Sequence, residues 1–129
     1  MIWGKPPFSI PDNCAVDVRN LAAARNWYRE KLGLHDSNSQ RDEDSGRPFA
    51  DMCISDDDGA VVALVELEPG ASPGTQHVIF YASKLEKARQ WLTERGVTAE
   101  PVTTDPGGNH FFRFRDLDGN AIEVCIEPS

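Results

Sequence analysis

The sequence predicts an α+β fold, two βαβββ modules forming a curved mixed sheet with an inner cup and helices outside. Three observations carry this. The spacing of Asn13, Val18, Leu21, Ala24 and Trp27 returns at His77, Ala82, Leu85, Ala88 and Trp91 with one offset, 77 − 13 = 64. The run Ala63-Leu-Val-Glu-Leu-Glu-Pro69 matches Ile122-Glu-Val-Cys-Ile-Glu-Pro128 with an offset of 59. Between residues 111 and 127, two strand-like runs flank a tight Asp118-Gly119-Asn120 turn, the signature of a β-hairpin. A four-stranded module with one helix leaves an apolar sheet face under-covered, so two modules pair to close the core.

In order, residues 1–11 carry Trp3 and three prolines and read as an extended arm that packs on the body or on a second subunit. The first module runs over 12–68. Cys14, Val16 and Val18 alternate with Asn13, Ala15 and Asp17 as a half-buried strand. Asn20 N-caps a helix with Leu21, Ala24, Tyr28 and Leu32 on one face, and Gly33 ends it. A polar edge strand is expected over 34–41, a solvated charged loop over 42–47, a strand over 49–55 and a turn at Asp56-Asp-Asp-Gly59. Residues 60–68 form the most apolar strand. A linker rich in Pro and Gly spans 69–75.

The second module, 76–127, repeats the plan. Val78, Phe80 and Ala82 alternate with His77, Ile79 and Tyr81. Ser83 is expected to cap a helix carrying Leu85, Ala88 and Leu92, which Gly96 stops. A strand over 97–103, a loop over 104–108 and the hairpin complete the single domain, 1–129.

At 129 residues the chain is long enough for a real core. A net charge of −8 argues against nucleic acid and anionic membrane surfaces, both of which repel an acidic protein. The apolar run 60–65 is far too short for a membrane span, and the N-terminus lacks a secretory apolar region. Three cysteines, odd in number and widely spaced, read as reduced thiols in a cytoplasmic protein.

The paired modules, the run Val18-x-Asn-Leu with Trp27-Tyr-Arg-Glu-Lys-Leu-Gly-Leu34, and Phe114-Arg-Asp-Leu-Asp-Gly-Asn-Ala-Ile-Glu-Val124 resemble the vicinal oxygen chelate superfamily. That group contains glyoxalases, bleomycin resistance proteins and extradiol dioxygenases, and the resemblance covers nearly the whole chain after the arm. Its motifs specify the fold more than the chemistry, since one scaffold hosts several activities and some plain binders. It implies a protein acting on a small molecule.

Strand phase follows from requiring the helix-covered face to be apolar. The cup then receives Asn13, Ala15 and Asp17; Val62, Leu64, Glu66 and Glu68; His77, Ile79 and Tyr81; and Phe111, Arg113, Glu123 and Cys125. His110 falls on the other phase, with Phe112 and Phe114, as a structural or rim residue. Metal-using members place a ligand at the start of each module's first strand and a Glu on each last strand. Carried over by motif, those positions are Asn13, His77, Glu123 and either Leu64 or Glu66.

The first functional reading is therefore a glyoxalase-like lyase or isomerase. A divalent ion (Zn, Ni, Mn or Fe) held by His77, Glu123 and Glu66 would chelate adjacent substrate oxygens, with Glu123 as catalytic carboxylate. Asn13, Arg113, Tyr81 and Phe111 would bind substrate. The alternative is a metal-free binder of bleomycin resistance type, whose acidic charge attracts a cationic ligand and whose Trp3, Tyr81 and Phe111 offer stacking faces. Arg113 favours this alternative, because a cation in the cup neutralises Glu123 directly or holds an anionic ligand. An extradiol dioxygenase ranks third, since Asn13 removes one of the two His that its iron needs.

Plainer readings stand beside these. In these, His77 bonds backbone or solvent, Glu123 is a mere ion-pair partner, and Glu66 and Glu68 are solvated strand-end acids. Tyr81 and Phe111 pack the cup wall in either case, and Cys125 reads as filler. Exposed module edges and the arm's lack of an obvious seat predict a homodimer.

Overall fold

The computed structural model describes residues 6–37, 48–54, 60–72 and 77–127, with His77 described by its backbone alone. Trp3, the charged loop over 42–47 and the Asp56–Gly59 turn lie outside the described residues.

The first module comprises β1 (Cys14–Val18), α1 (Leu21–Leu32), β2 (His35–Asp36), β3 (Phe49–Cys53) and β4 (Val62–Glu66). The second comprises β5 (His77–Ala82), α2 (Leu85–Glu94), β6 (Thr103–Thr104), β7 (His110–Arg115) and β8 (Ala121–Ile126). Each forms a four-stranded mixed sheet, ordered β1-β4-β3-β2 and β5-β8-β7-β6. The first and last strand of each module pair in parallel, and the remaining pairs are antiparallel. This is the expected two-module α+β architecture.

Local chemistry explains the helix ends. The Asn20 side chain accepts a hydrogen bond from the Ala23 N–H at 2.9 Å, closing the first turn of α1. Gly33 ends that helix at φ 71°, in the left-handed region. A Cβ there would come within 3.1 Å of the Trp91 ring, so helix packing as well as backbone conformation requires glycine. Two expectations change in the second module. Lys84, not Ser83, occupies the N-cap of α2, and its side chain makes no cap bond; Ser83 stands one residue too early to reach the free N–H groups. The strand expected over 97–103 shrinks to β6 and a single bridge between Ala99 and Phe114. Pro101, with no N–H to donate, interrupts the ladder there.

Each helix covers one sheet face. Val16, Val18, Met52, Val62 and Leu64 are buried with Ala24, Tyr28 and Leu32, while Val78, Phe80, Phe112, Phe114, Ile122 and Val124 are buried with Leu85, Ala88 and Leu92. The phase of β4 is the reverse of the expectation. In the parallel ladder Val62, Leu64 and Glu66 stand beside Cys14, Val16 and Val18, on the helix side. Ala63 and Val65 stand beside Ala15 and Asp17, and they face the cup. Both alternating sets of β4 begin apolar, so alternation alone could not choose between them.

The described part of the arm, residues 6–11, has a seat on the body. Phe8 stacks on Phe80, with centroids 5.3 Å apart, and meets Trp91 edge-on at 5.6 Å. Ser9 exchanges backbone hydrogen bonds with Tyr81 at 2.7 and 2.9 Å, shielding the edge of β5. No helix among the described residues is long and apolar enough to cross a membrane.

The β7–β8 turn ties the modules together. Asp116, only 6% exposed, accepts from the Tyr28 hydroxyl of α1 at 2.5 Å. It also accepts from the backbone N–H of Asp118 and Asn120 and from the Asn120 side-chain amide, at 2.8–3.0 Å. The same amide donates to the Asp17 carbonyl at 2.9 Å, and Asp118 receives the backbone N–H and guanidinium of Arg19. Burial, and then the charge of Asp116, push the Tyr28 hydroxyl well above its ordinary pKa, so it remains a donor. Tyr28→Phe removes a charge-assisted bond from a buried carboxylate and should lower stability by about 1–3 kcal/mol. Urea denaturation measures this, and a loss within a few tenths would mean that the bond does not hold the modules.

Candidate functional site

The concave face of the second module is assembled by register. Ile79, Glu123 and Arg113 form one row across β5, β8 and β7, and Tyr81, Cys125 and Phe111 form the next. Their neighbours Val78, Phe80, Phe112, Phe114, Ile122 and Val124 are all buried on the helix side. That strong alternation forces the polar set onto the cup. An open cavity of about 580 Å³ lies over these rows except at Arg113, which was expected in it but reaches Glu123 from outside the lining. Ile79, Tyr81, Phe111, Glu123 and Cys125 form its floor and walls, with Asp105, Asn109, His110 and Glu127 nearer the mouth.

Glu123 is the centre of the polar contacts. Arg113 Nε donates to its Oε1 at 3.0 Å, and the Cys125 thiol donates to its Oε2 at 3.2 Å. The carboxylate side chain is 14% exposed and Arg113 48%, so the cation approaches from the solvent side. The guanidinium lies 5.0 Å from the centre of the Phe111 ring. Burial, followed by the hydrogen bond and charge of Glu123, pushes the Cys125 thiol up to about 12, with Arg113 opposing. Cys125 is thus a protonated donor.

The mouth is a short loop. Asp105 accepts from the backbone N–H of Asn109 at 3.0 Å and from its side-chain amide at 3.1 Å, which holds the carboxyl below its usual range. His110, expected at the rim, pairs its Nδ1 with Thr104 Oγ1 at 2.7 Å and lines the cavity. Asp105 and Asn109 were not expected in the site: Asp-Pro-Gly-Gly-Asn reads only as a turn, and nothing local shows that it folds over the cup. Glu127 shares the face of Glu123 by alternation, a signal that was present in the sequence.

The other candidates separate. The Asn13 side-chain oxygen accepts from the Val61 N–H at 2.9 Å, tying the start of β1 to β4. Glu66 lies on the helix side, where its Oε2 accepts from the Leu21 N–H at 2.9 Å. It supplies the negative charge at the start of α1 that the helix's own first turn lacks. The position of His77 pairs with Ala121 on the cup face, but its side chain lies outside the described residues.

Register also identifies the first-module twin of Glu123. Cys14 pairs with Val62 and Val78 with Ile122, so with 14 + 64 = 78 the last strands correspond by 122 − 62 = 60. The twin of Glu123 is Ala63, neither Leu64 nor Glu66. Among the described side chains, these donors do not make up a divalent metal centre. Ala63 offers no ligand, Asn13 and Glu66 are engaged elsewhere, and Glu123 already carries Arg113 and Cys125. Among the described residues no three His, Cys, Asp or Glu side chains gather as a metal group.

Glu66→Ala should lower stability by about 1 kcal/mol in urea denaturation, as for loss of a helix cap, and leave ligand affinity at the cup unchanged. A changed affinity with unchanged stability would return Glu66 to the site. The cysteines offer a second check, since burial also raises Cys14 to about 11. The folded chain keeps both thiols protonated at a pH where the unfolded chain ionises them, near about 8.5. Stability should therefore fall as pH rises above that value, and alkylation at mildly alkaline pH, followed by mass spectrometry, should be slow for both until the chain is unfolded. Rapid alkylation of the folded protein at Cys125 would contradict its bond to Glu123.

Comparison with known proteins identifies the fold and the family. The sequence profile of the Glyoxalase/Bleomycin resistance protein/Dioxygenase superfamily matches residues 10–124. Uncharacterized protein YwkD of Bacillus subtilis (strain 168) is 28% identical over 119 residues, covering 85% of this chain and 91% of that protein. Integron cassette protein HFX_CASS4, from the mobile metagenome of the Halifax Harbour sewage outfall, superposes with a TM-score of 0.71 at 23% identity, covering 90% of this chain and 97% of its own. TnmS3, an antibiotic binding protein from Streptomyces sp. CB03234, superposes with a TM-score of 0.67 at 21% identity, covering 91% and 95%. At these identities the structural likenesses show the fold, and the profile shows the family. This chain belongs to the glyoxalase/bleomycin resistance protein/dioxygenase superfamily.

Proposed function

We propose that this protein is a metal-independent small-molecule binder of the bleomycin resistance type, with the second-module cup as its site. The observation that carries the reading is the engagement of Glu123 by Arg113 and Cys125 on the floor of the cavity. A lyase or isomerase of glyoxalase type needs that carboxylate for a metal or for a moving proton. Here it already neutralises a guanidinium, and its first-module twin is Ala63. The dioxygenase reading needs iron ligands that the described residues do not supply. The cavity suits binding: about 580 Å³ lies within the usual range for small-molecule sites, and Ile79, Tyr81 and Phe111 provide apolar and aromatic walls. The likeness to TnmS3, whose ligands are antibiotics, supports the reading at the level of fold.

Thermal unfolding tests it. After treatment with a chelator, addition of Zn²⁺, Ni²⁺ or Mn²⁺ should leave the melting temperature unchanged, while members of a panel of aromatic small molecules should raise it. A ligand at about a hundred times its Kd stabilises by about 2.7 kcal/mol, a readily measured shift. A rise of several degrees with any one of the metals would sink the proposal and favour the metal-dependent lyase.

A further inference from the structure

We infer that the groove beside Trp27, where the two modules meet, is a second binding site, and that it takes an extended proline-containing peptide segment. The inference is independent of the cup. It starts from the repeat, which builds two grooves of one kind. Each helix is followed by a left-handed glycine, Gly33 at φ 71° and Gly96 at φ 84°, and then by a buried aliphatic residue, Leu34 or Val97. Beside each glycine stands the tryptophan of the other module's helix, Trp91 at Gly33 and Trp27 at Gly96. The strand behind corresponds as well. Met52 pairs with Val62 and Phe114 with Ile122, so Met52 is the register twin of Phe114, and both are buried.

The chain's own arm fills the groove at Trp91. Pro6 Cδ lies 3.6 Å from where a Cβ on Gly33 would stand, and Trp91 lies 3.1 Å from the same place. Phe8 meets the Trp91 ring edge-on at 5.6 Å, and Pro6 and Phe8 are both buried there. The groove at Trp27 differs. Among the described residues, a Cβ on Gly96 would meet only Lys31 Nζ within 4 Å, at 3.3 Å, and no atom of Trp27. An open cavity of about 380 Å³ remains there, with Trp27, Val97 and Phe114 in its wall.

The ligand chemistry follows from what fills the twin groove and from the rim of the open one. A proline-containing segment is preset in an extended form with no internal hydrogen bonds, so its rings meet an indole while its carbonyls stay free to accept. The rim supplies donors. Arg115 gives one guanidinium N–H to the Gly119 carbonyl at 2.9 Å and keeps others, and the Thr98 hydroxyl stands nearby. Glu100 on the same rim disfavours an acidic segment. Asp116 closes the inner end, its oxygens already bonded to Tyr28 and Asn120. The match ends where the arm's backbone bridge begins. Ser9 donates its N–H to the Tyr81 carbonyl, and at the corresponding place, 17 + 64 = 81, the Asp17 carbonyl takes the Asn120 amide instead. The open groove therefore corresponds to the Pro6–Phe8 part of the arm and not to its strand pairing.

Calorimetric titration of the full chain with N-acetyl-Pro-Pro-Phe-amide, which carries the chemistry of residues 6–8, tests this. The peptide should bind about tenfold or more tighter than N-acetyl-Ala-Ala-Phe-amide. Thr98→Arg, which fills the groove from an exposed position, should weaken binding by about tenfold or more at an unchanged melting temperature. Trp27→Ala should weaken it similarly, and the Thr98 variant keeps the test valid even if Trp27→Ala folds poorly. Phe111→Ala, in the cup, should leave the affinity within about twofold. Unchanged affinity in Thr98→Arg would overturn the site, because the peptide would then bind elsewhere, for example by displacing the arm from Trp91. A loss with Phe111→Ala would overturn it equally, by moving the peptide to the cup. Equal affinity for the two peptides, or no binding of the proline peptide, would overturn the proposed ligand chemistry.

Discussion

Asp116 is the interaction on which the arrangement depends. A carboxylate this deeply buried is unfavourable unless its hydrogen bonds are complete. Its donors come from both modules, the Tyr28 hydroxyl from α1 and the backbone and amide groups of the β7–β8 turn. Satisfying one side chain therefore orders the tight turn and fixes it against the neighbouring helix. The motif residues around Asp116, Asp118 and Asn120 are structural, and they act at a distance from the ligand chemistry. Their consequence for the site is geometric: the hairpin that carries Phe111, Arg113, Glu123 and Cys125 is anchored at its tip.

Glu66 illustrates a second constraint. Helix α1 has no acidic residue in its first turn, and β4 delivers one from across the module. The carboxylate joins strand and helix through one bond to Leu21. That bond requires Glu66 to share the face of Leu64 and Val62, which in turn places Ala63 and Val65 on the cup. A structural need of the first module thus leaves its half of the concave face without an acid where the second has Glu123. The asymmetry between repeats, rather than the repeat itself, shapes the chemistry.

In the second module, Arg113 stands where its charge neutralises Glu123 from the solvent side. A guanidinium is permanently charged and directional, and it holds the carboxylate without demanding further ligands. The opposite oxygen meets a thiol whose proton is secured by burial and by Glu123 itself. The result is a paired carboxylate between aromatic walls, built on three strands whose other face is packed.

Much of the fold was legible in the sequence. Periodicity marked both helices and the Asn20 cap the start of the first, and the alternation of Phe112, Phe114, Ile122 and Val124 placed Phe111, Arg113, Glu123 and Cys125 together on the opposite face. The repeat of Asn13 at His77 located equivalent strands. The facing of β4 was not legible, because its two alternating sets begin equally apolar and a slip of one residue reverses every side chain. The matching Glu-Pro ends favoured an offset of 59, whereas the backbone ladders require 60. The role of Asp105 and Asn109 was equally hidden, since a turn sequence specifies its own bend and not the surface it folds over. By itself the sequence determined which residues alternate, which turn and that Asn20 caps the first helix, because those depend on neighbours along the chain. Tertiary structure alone decided that Glu66 caps a helix, that Ala63 answers Glu123 and that a loop lines the mouth of the cup, because each depends on register and contact between segments distant in the chain.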